Sequence, residues 1–129
     1  MKKLIVTLIM MACFSSTYVN ANPLFSLENL ERERATLIDT LMSTNISEEN
    51  RQQMSFNIIR RLTDIERMVL RDDRIAASNS TMAHKAFERY ELTFLVHAGS
   101  EAKELPVAHW LTELKLSSND IMTTRVANR

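Results

Sequence analysis

Glycine, proline and cysteine are almost missing from this chain. Its 129 residues contain one glycine, Gly99, two prolines, Pro23 and Pro106, and one cysteine, Cys13. A lone glycine excludes the glycine-rich loops that cradle phosphates. A lone cysteine excludes an internal disulfide, and because Cys13 falls in a segment that reads as a removable signal, thiolate metal sites and cysteine nucleophiles are excluded from the remainder as well. Net charge is absent too, since sixteen Lys and Arg balance sixteen Asp and Glu. That balance leaves no basic surface for nucleic acid, and no nucleic-acid partner is expected. No apolar run approaches the roughly 20 residues of a transmembrane helix; the run at residues 4–14 is interrupted by Thr7.

That run is flanked by Lys2 and Lys3 before it and by Val19-Asn20-Ala21 after it, which together form the three-part pattern of a cleaved export signal. The sequence therefore predicts cleavage at about Ala21, a single all-helical domain over residues 22–129, and a periplasmic or secreted location. The competing use of Cys13 as a lipidated cysteine fits less well, because Met10 and Met11 stand where such sites carry leucine and a small residue. Without the signal, fourteen basic side chains face sixteen acidic ones, and eleven of the fourteen are arginine.

Few breakers and an abundance of Leu, Glu, Arg, Met and Ala favour helix throughout, and no segment alternates as a strand does. Ser26 is the expected cap of a first helix carrying Leu27, Leu30, Leu37, Ile38 and Leu41 and ending near Ser43. Ser47 should cap a second, with Glu48 and Glu49 at its positive end and a stripe of Met54, Ile58, Leu62, Ile65 and Val69 reaching Asp73. The short connection between them predicts an antiparallel hairpin with an overhang. Asn79 or Ser80 opens a third helix with Met82, Ala86, Phe87, Tyr90, Phe94 and Leu95, which Gly99 should end in the left-handed conformation. Pro106 suits the first turn of a helix containing Val107, Trp110, Leu111 and Leu114, and Ser117 or Ser118 caps a last one before a fraying tail. The expected fold is all-α: an N-terminal antiparallel hairpin packed on a C-terminal cluster of two to three shorter helices, with the main core on the aromatic second half.

Each histidine has a glutamate four residues later: His84 with Glu88, His97 with Glu101, and His109 with Glu113. On a helix that spacing puts imidazole and carboxylate on one face, where they form an ordinary surface pair or share a metal ion. These six residues are the candidate metal ligands. Haem held between a histidine and one of Met42, Met54, Met68, Met82 or Met122 would need no Cys-x-x-Cys-His, but methionines at helical spacing serve more simply as core filler, and no cofactor is expected. Arg71-Asp72-Asp73-Arg74 reads as the end of the second helix, neutralised by its own arginines. No catalytic constellation emerges; an enzyme would need an apolar pocket near Phe87, Tyr90, His97 and Trp110 with a perturbed polar group inside it.

One segment, Ile46-Ser47-Glu48-Glu49-Asn50-Arg51-Gln52-Gln53-Met54, resembles the Leu-Thr-x-x-Gln helix start of small periplasmic chaperones and metal-stress sensors of the Spy and CpxP type. The resemblance covers nine residues, with Ile, Ser and Asn in place of Leu, Thr and Gln, and does not recur along the chain. It implies an all-helical, exported, dimeric protein. Long amphipathic helices rich in arginine, and the lack of a catalytic arrangement, point to a non-enzymatic module that binds another envelope protein and pairs with itself through the overhanging second helix. The alternative expectation is a metal-binding or metal-sensing, or chaperone-like, protein using the His and Glu pairs.

Overall fold

A computed structural model describes residues 22–127, apart from the side chains of Met122 and of residues 124–127. The expected signal segment, its cleavage point and Cys13 lie outside the described residues. Eight helices follow one another: α1 (Leu24–Met42), α2 (Glu48–Arg71), α3 (Asp73–Ala76), α4 (Thr81–Glu88), α5 (Tyr90–Thr93), α6 (Leu95–Ala102), α7 (Pro106–Glu113) and α8 (Ser118–Ala127). There is no strand, and no helix is long and apolar enough to cross a membrane, among the described residues.

The hairpin forms as its caps dictate. Ser47 accepts a hydrogen bond from Asn50 N at the start of α2, where Glu48 and Glu49 face the positive helix end. This cap accounts for the likeness of residues 46–54 to other helix starts. Arg51 reaches back across the connection and donates to Ser43 O at 2.9 Å, tying down the carbonyl at the end of α1 and holding the connection closed. Glu33 and Arg61 meet at 3.0 Å across the pair, a register only an antiparallel arrangement produces. With 19 residues against 24, α1 is about 28 Å long and α2 about 36 Å.

Both ends of the hairpin differ slightly from expectation. Helix α1 begins at Leu24 after Pro23, with Asn22 Oδ1 accepting from Leu24 N, so Ser26 lies within the first turn and does not cap it. Helix α2 stops at Arg71, because Asp72 turns out of it to accept from Arg74 N and to receive the Arg74 guanidinium at 2.9 and 2.7 Å.

The core is shared by both halves, not concentrated in the aromatic one. Leu27, Leu30 and Leu37 from α1 and Ile58, Leu62 and Val69 from α2 pack with Ile75, Ala83, Ala86, Phe94 and Leu95. Phe87, Tyr90 and Trp110 are only partly buried at its margin. The two long helices supply most of the buried apolar side chains, although Met54 of the expected α2 stripe is exposed, whereas the shorter helices contribute at most three buried residues each.

The largest departure is in the expected third helix, which is broken into α4, α5 and α6 at Arg89 (φ −105°, ψ 46°) and Phe94 (φ −105°, ψ 68°). Gly99 does not end it. It lies inside α6 without a positive φ, and Lys103 takes the left-handed position instead, at φ 60°. Gly99 matters for space: a Cβ there would stand 3.2 Å from Glu104 O and from Pro106 Cα, so its bare hydrogen lets the start of α7 close onto α6. Pro106 then opens α7 as expected. Ser117 and Asp120 cap α8 reciprocally, with Asp120 N donating to Ser117 Oγ and Ser117 N to Asp120 Oδ2.

Candidate functional site

Two groups of polar side chains join the shorter helices, one where α6 meets the hairpin and one between α5 and α7. The first is centred on Glu66, which is fully buried in the apolar face of α2. Its carboxylate accepts from Val96 N at 3.1 Å and His97 N at 3.0 Å, and lies 2.9 Å from His97 Nδ1. An ionised carboxylate only accepts, and the His97 tautomer that donates to it carries its proton on Nδ1. These two backbone donors belong to the first turn of α6, whose own cap residue, Phe94, has no side chain able to serve them. Glu66 is thus a cap supplied from thirty residues away.

Arg34 completes the arrangement. In an unbroken helix Val96 N would donate to Leu92 O. Here Val96 N is taken by Glu66, and Leu92 O accepts from Arg34 Nη1 at 2.8 Å. A buried acid and a half-buried base therefore hold the two halves of one missing helical hydrogen bond, which is the physical cause of the break at Phe94. Burial pulls the Arg34 guanidinium below its ordinary pKa, and the charges of Glu31 and then Glu66 pull it back.

The second group surrounds His109 on α7. This side chain is only 4 % exposed. Its Nε2 lies 3.0 Å from Glu91 Oε2, and its Nδ1 lies 4.0 Å from Glu104 Oε2. Ligand atoms of Glu91, His109 and Glu113 all fall within 4.8 Å of one another.

Of the three His/Glu pairs expected from spacing, one is brought together. His109 and Glu113 share a cluster, joined by Glu91 from α5, which spacing along one helix could not reveal. His97 turns to Glu66 and not to Glu101. Glu101 instead accepts from the Tyr90 hydroxyl at 3.1 Å. His84 and Glu88 are both exposed on α4, and no hydrogen bond or ion pair joins them. The one signal for Glu66 was its position: it follows Leu62 by four residues and Ile58 by eight, a charge set within an apolar stripe.

The Tyr90 pKa is raised above its ordinary value of about 10, first by burial, then by its hydrogen bond to Glu101 and the negative charges of Glu101, Glu66 and Glu91. In a chain beginning at Asn22, Tyr90 is the only tyrosine, so phenolate absorbance follows this group alone. The expected titration lies above that of free tyrosine, and Glu101→Gln recovers only part of the shift because burial is the larger cause. A raised folded pKa means the linked stability is full below the unfolded value and is lost as pH rises through the folded one. An unshifted titration contradicts this geometry.

A cleft of about 670 Å³ opens between α1 on one side and α4, α5 and Trp110 of α7 on the other. Ile38, Met82, Ala86 and Trp110 give it an apolar lining, and Arg34, Lys85 and Arg89 stand around it against a single acid, Glu31. Of Phe87, Tyr90, His97 and Trp110, only Trp110 lines it.

No family model matches the chain, and no curated protein and no solved structure matches it either. The geometry is therefore the whole basis for a functional reading.

Proposed function

We propose that this protein is a non-enzymatic binding module of the bacterial envelope that receives an acidic segment of a partner protein in the cleft between α1 and the α4, α5 and α7 elements. The observation that carries this reading is the charge around the cleft. Three cations face one acid there, in a domain whose acids outnumber its bases overall. Lys85 and Arg89 are exposed and make no ion pair among the described residues, which leaves them available to carboxylates, whereas Arg34 is already engaged with Leu92 O and Glu31. Below them the apolar wall of Ile38, Met82 and Trp110 offers a partner surface to bury. Charges at the edge of such a site steer and select the partner, and the apolar floor contributes the larger share of affinity.

Trp110 is the only tryptophan, and its emission reports the cleft directly. Titration with a glutamate-rich amphipathic helical peptide is expected to change that emission saturably, more weakly as salt is raised. The double variant Lys85→Glu, Arg89→Glu is expected to weaken the response by about tenfold or more while leaving thermal unfolding unchanged. A photo-crosslinking residue at position 38, in cells, should capture a different envelope protein, with the same dependence on Lys85 and Arg89. Capture of only a second copy of this chain, or binding indifferent to the charge reversal, would sink the reading.

A further inference from the structure

We infer that Glu91, His109 and Glu113 form a binding site for one divalent transition-metal ion, joining α5 to α7. The ring of His109 is buried, yet its Nε2 has no hydrogen-bond partner among the described residues. Glu91 Oε2 is only 3.0 Å away, so distance is not what prevents one. The oxygen stands beside the ring-nitrogen axis and not along it. An imidazolium paired with a carboxylate points its N–H at the oxygen. Two ligands of a single cation are related differently, because each aims at the ion and their own separation is an edge of its coordination shell. For a tetrahedral zinc with ligands at 2.0–2.1 Å that edge is about 3.3 Å. The observed separation is near that edge.

Glu113 supplies the third ligand from the same helix face as His109, one turn on, with its carboxylate oxygen inside the same 4.8 Å group. Nδ1, the other ring nitrogen, faces Glu104 Oε2 at 4.0 Å. At that distance Glu104 makes no hydrogen bond to the ring, but its negative charge favours the tautomer with the proton on Nδ1, which leaves the Nε2 lone pair free for a metal. One imidazole and two carboxylates form a mixed nitrogen and oxygen set that suits zinc and its first-row neighbours better than calcium or magnesium. Three protein ligands leave a coordination position open to water or to a partner's side chain. His109 is the rigid, buried pole, and the two exposed glutamates close over an ion arriving from solvent.

The test is calorimetric titration of the chelator-treated, untagged chain with zinc chloride, together with nitrogen NMR of its three histidines. One zinc per chain is expected, with the Nε2 resonance of His109 moving on zinc addition and those of His84 and His97 unmoved. Glu113→Gln and Glu91→Gln, both at exposed positions that the fold tolerates, are each expected to weaken binding by at least about tenfold. His109→Ala should abolish it, and the two glutamine variants keep the test decisive if that chain does not fold. Absence of saturable binding, affinity unchanged in both glutamine variants, or loss of binding on His84→Ala each overturns the site.

Discussion

Replacing Glu66 by alanine is expected to lower the unfolding free energy by about 3–5 kcal/mol, measured by urea denaturation followed by helical circular dichroism. The carboxylate is fully buried, and its removal leaves Val96 N, His97 N and the His97 Nδ1 proton without an acceptor. Each buried orphan donor costs about 1–3 kcal/mol. A domain of this size has roughly 5–15 kcal/mol in all, so the variant should be close to half unfolded under conditions where the parent is intact. Glu66→Gln keeps the shape and one acceptor oxygen and is expected to lose about half as much. Arg34→Met, by freeing Leu92 O in the same broken turn, should not add fully to Glu66→Ala, since only the two together release both Leu92 O and Val96 N to pair again. Full additivity in that cycle would show that the acid and the base do not act on one shared break.

That break also marks where the sequence stops being legible. Ser47, Pro106 and Ser117 announced their helix ends because capping is local chemistry, decided within three or four residues. The buried faces of α1 and α2 were readable for the same reason, since a 3.6-residue period over five turns or more leaves little freedom in which residues turn inward. Residues 81–98 kept that period without a proline or an internal glycine, so a continuous helix was the sound expectation. What divides it at Phe94 comes from Glu66 and Arg34, thirty and fifty-eight residues earlier in the chain, and no local window contains them. The His109 cluster depends on that break together with the one at Arg89. With α5 set off as a separate turn, Glu91 is delivered to α7, and the pairing of His109 with Glu113, visible as i and i+4, gains a third member from another element. His97 and Glu101 show the reverse. Their spacing was right, but α6 presents each to a stronger partner, Glu66 and Tyr90, and the pair does not form.

The second large effect is expected at Phe94, the junction residue itself. Its side chain is completely buried and is the largest so enclosed among the described residues. Its ring centroid lies 5.1 Å from that of Tyr90 and 5.5 Å from that of Phe87, both tilted, at separations where aromatic pairs attract. Truncation to alanine removes that contact and leaves a cavity walled by residues of several helices, for an expected loss of about 3–5 kcal/mol. Phe56, 59 % exposed on α2, provides the control, and Phe56→Ala should change stability by no more than about 0.5 kcal/mol. The two positions differ further in what else they disturb. Phe94 fixes the backbone angle at which α5 hands over to α6, and its carbonyl accepts from Ala98 N in the first turn of α6. A loosened Phe94 therefore releases the donors that Glu66 caps, and hydrogen exchange at Val96 and His97 should accelerate in Phe94→Ala ahead of exchange in the middle of α2. Equal acceleration throughout the chain would mean that Phe94 contributes packing to the whole core and no special restraint to the broken turn.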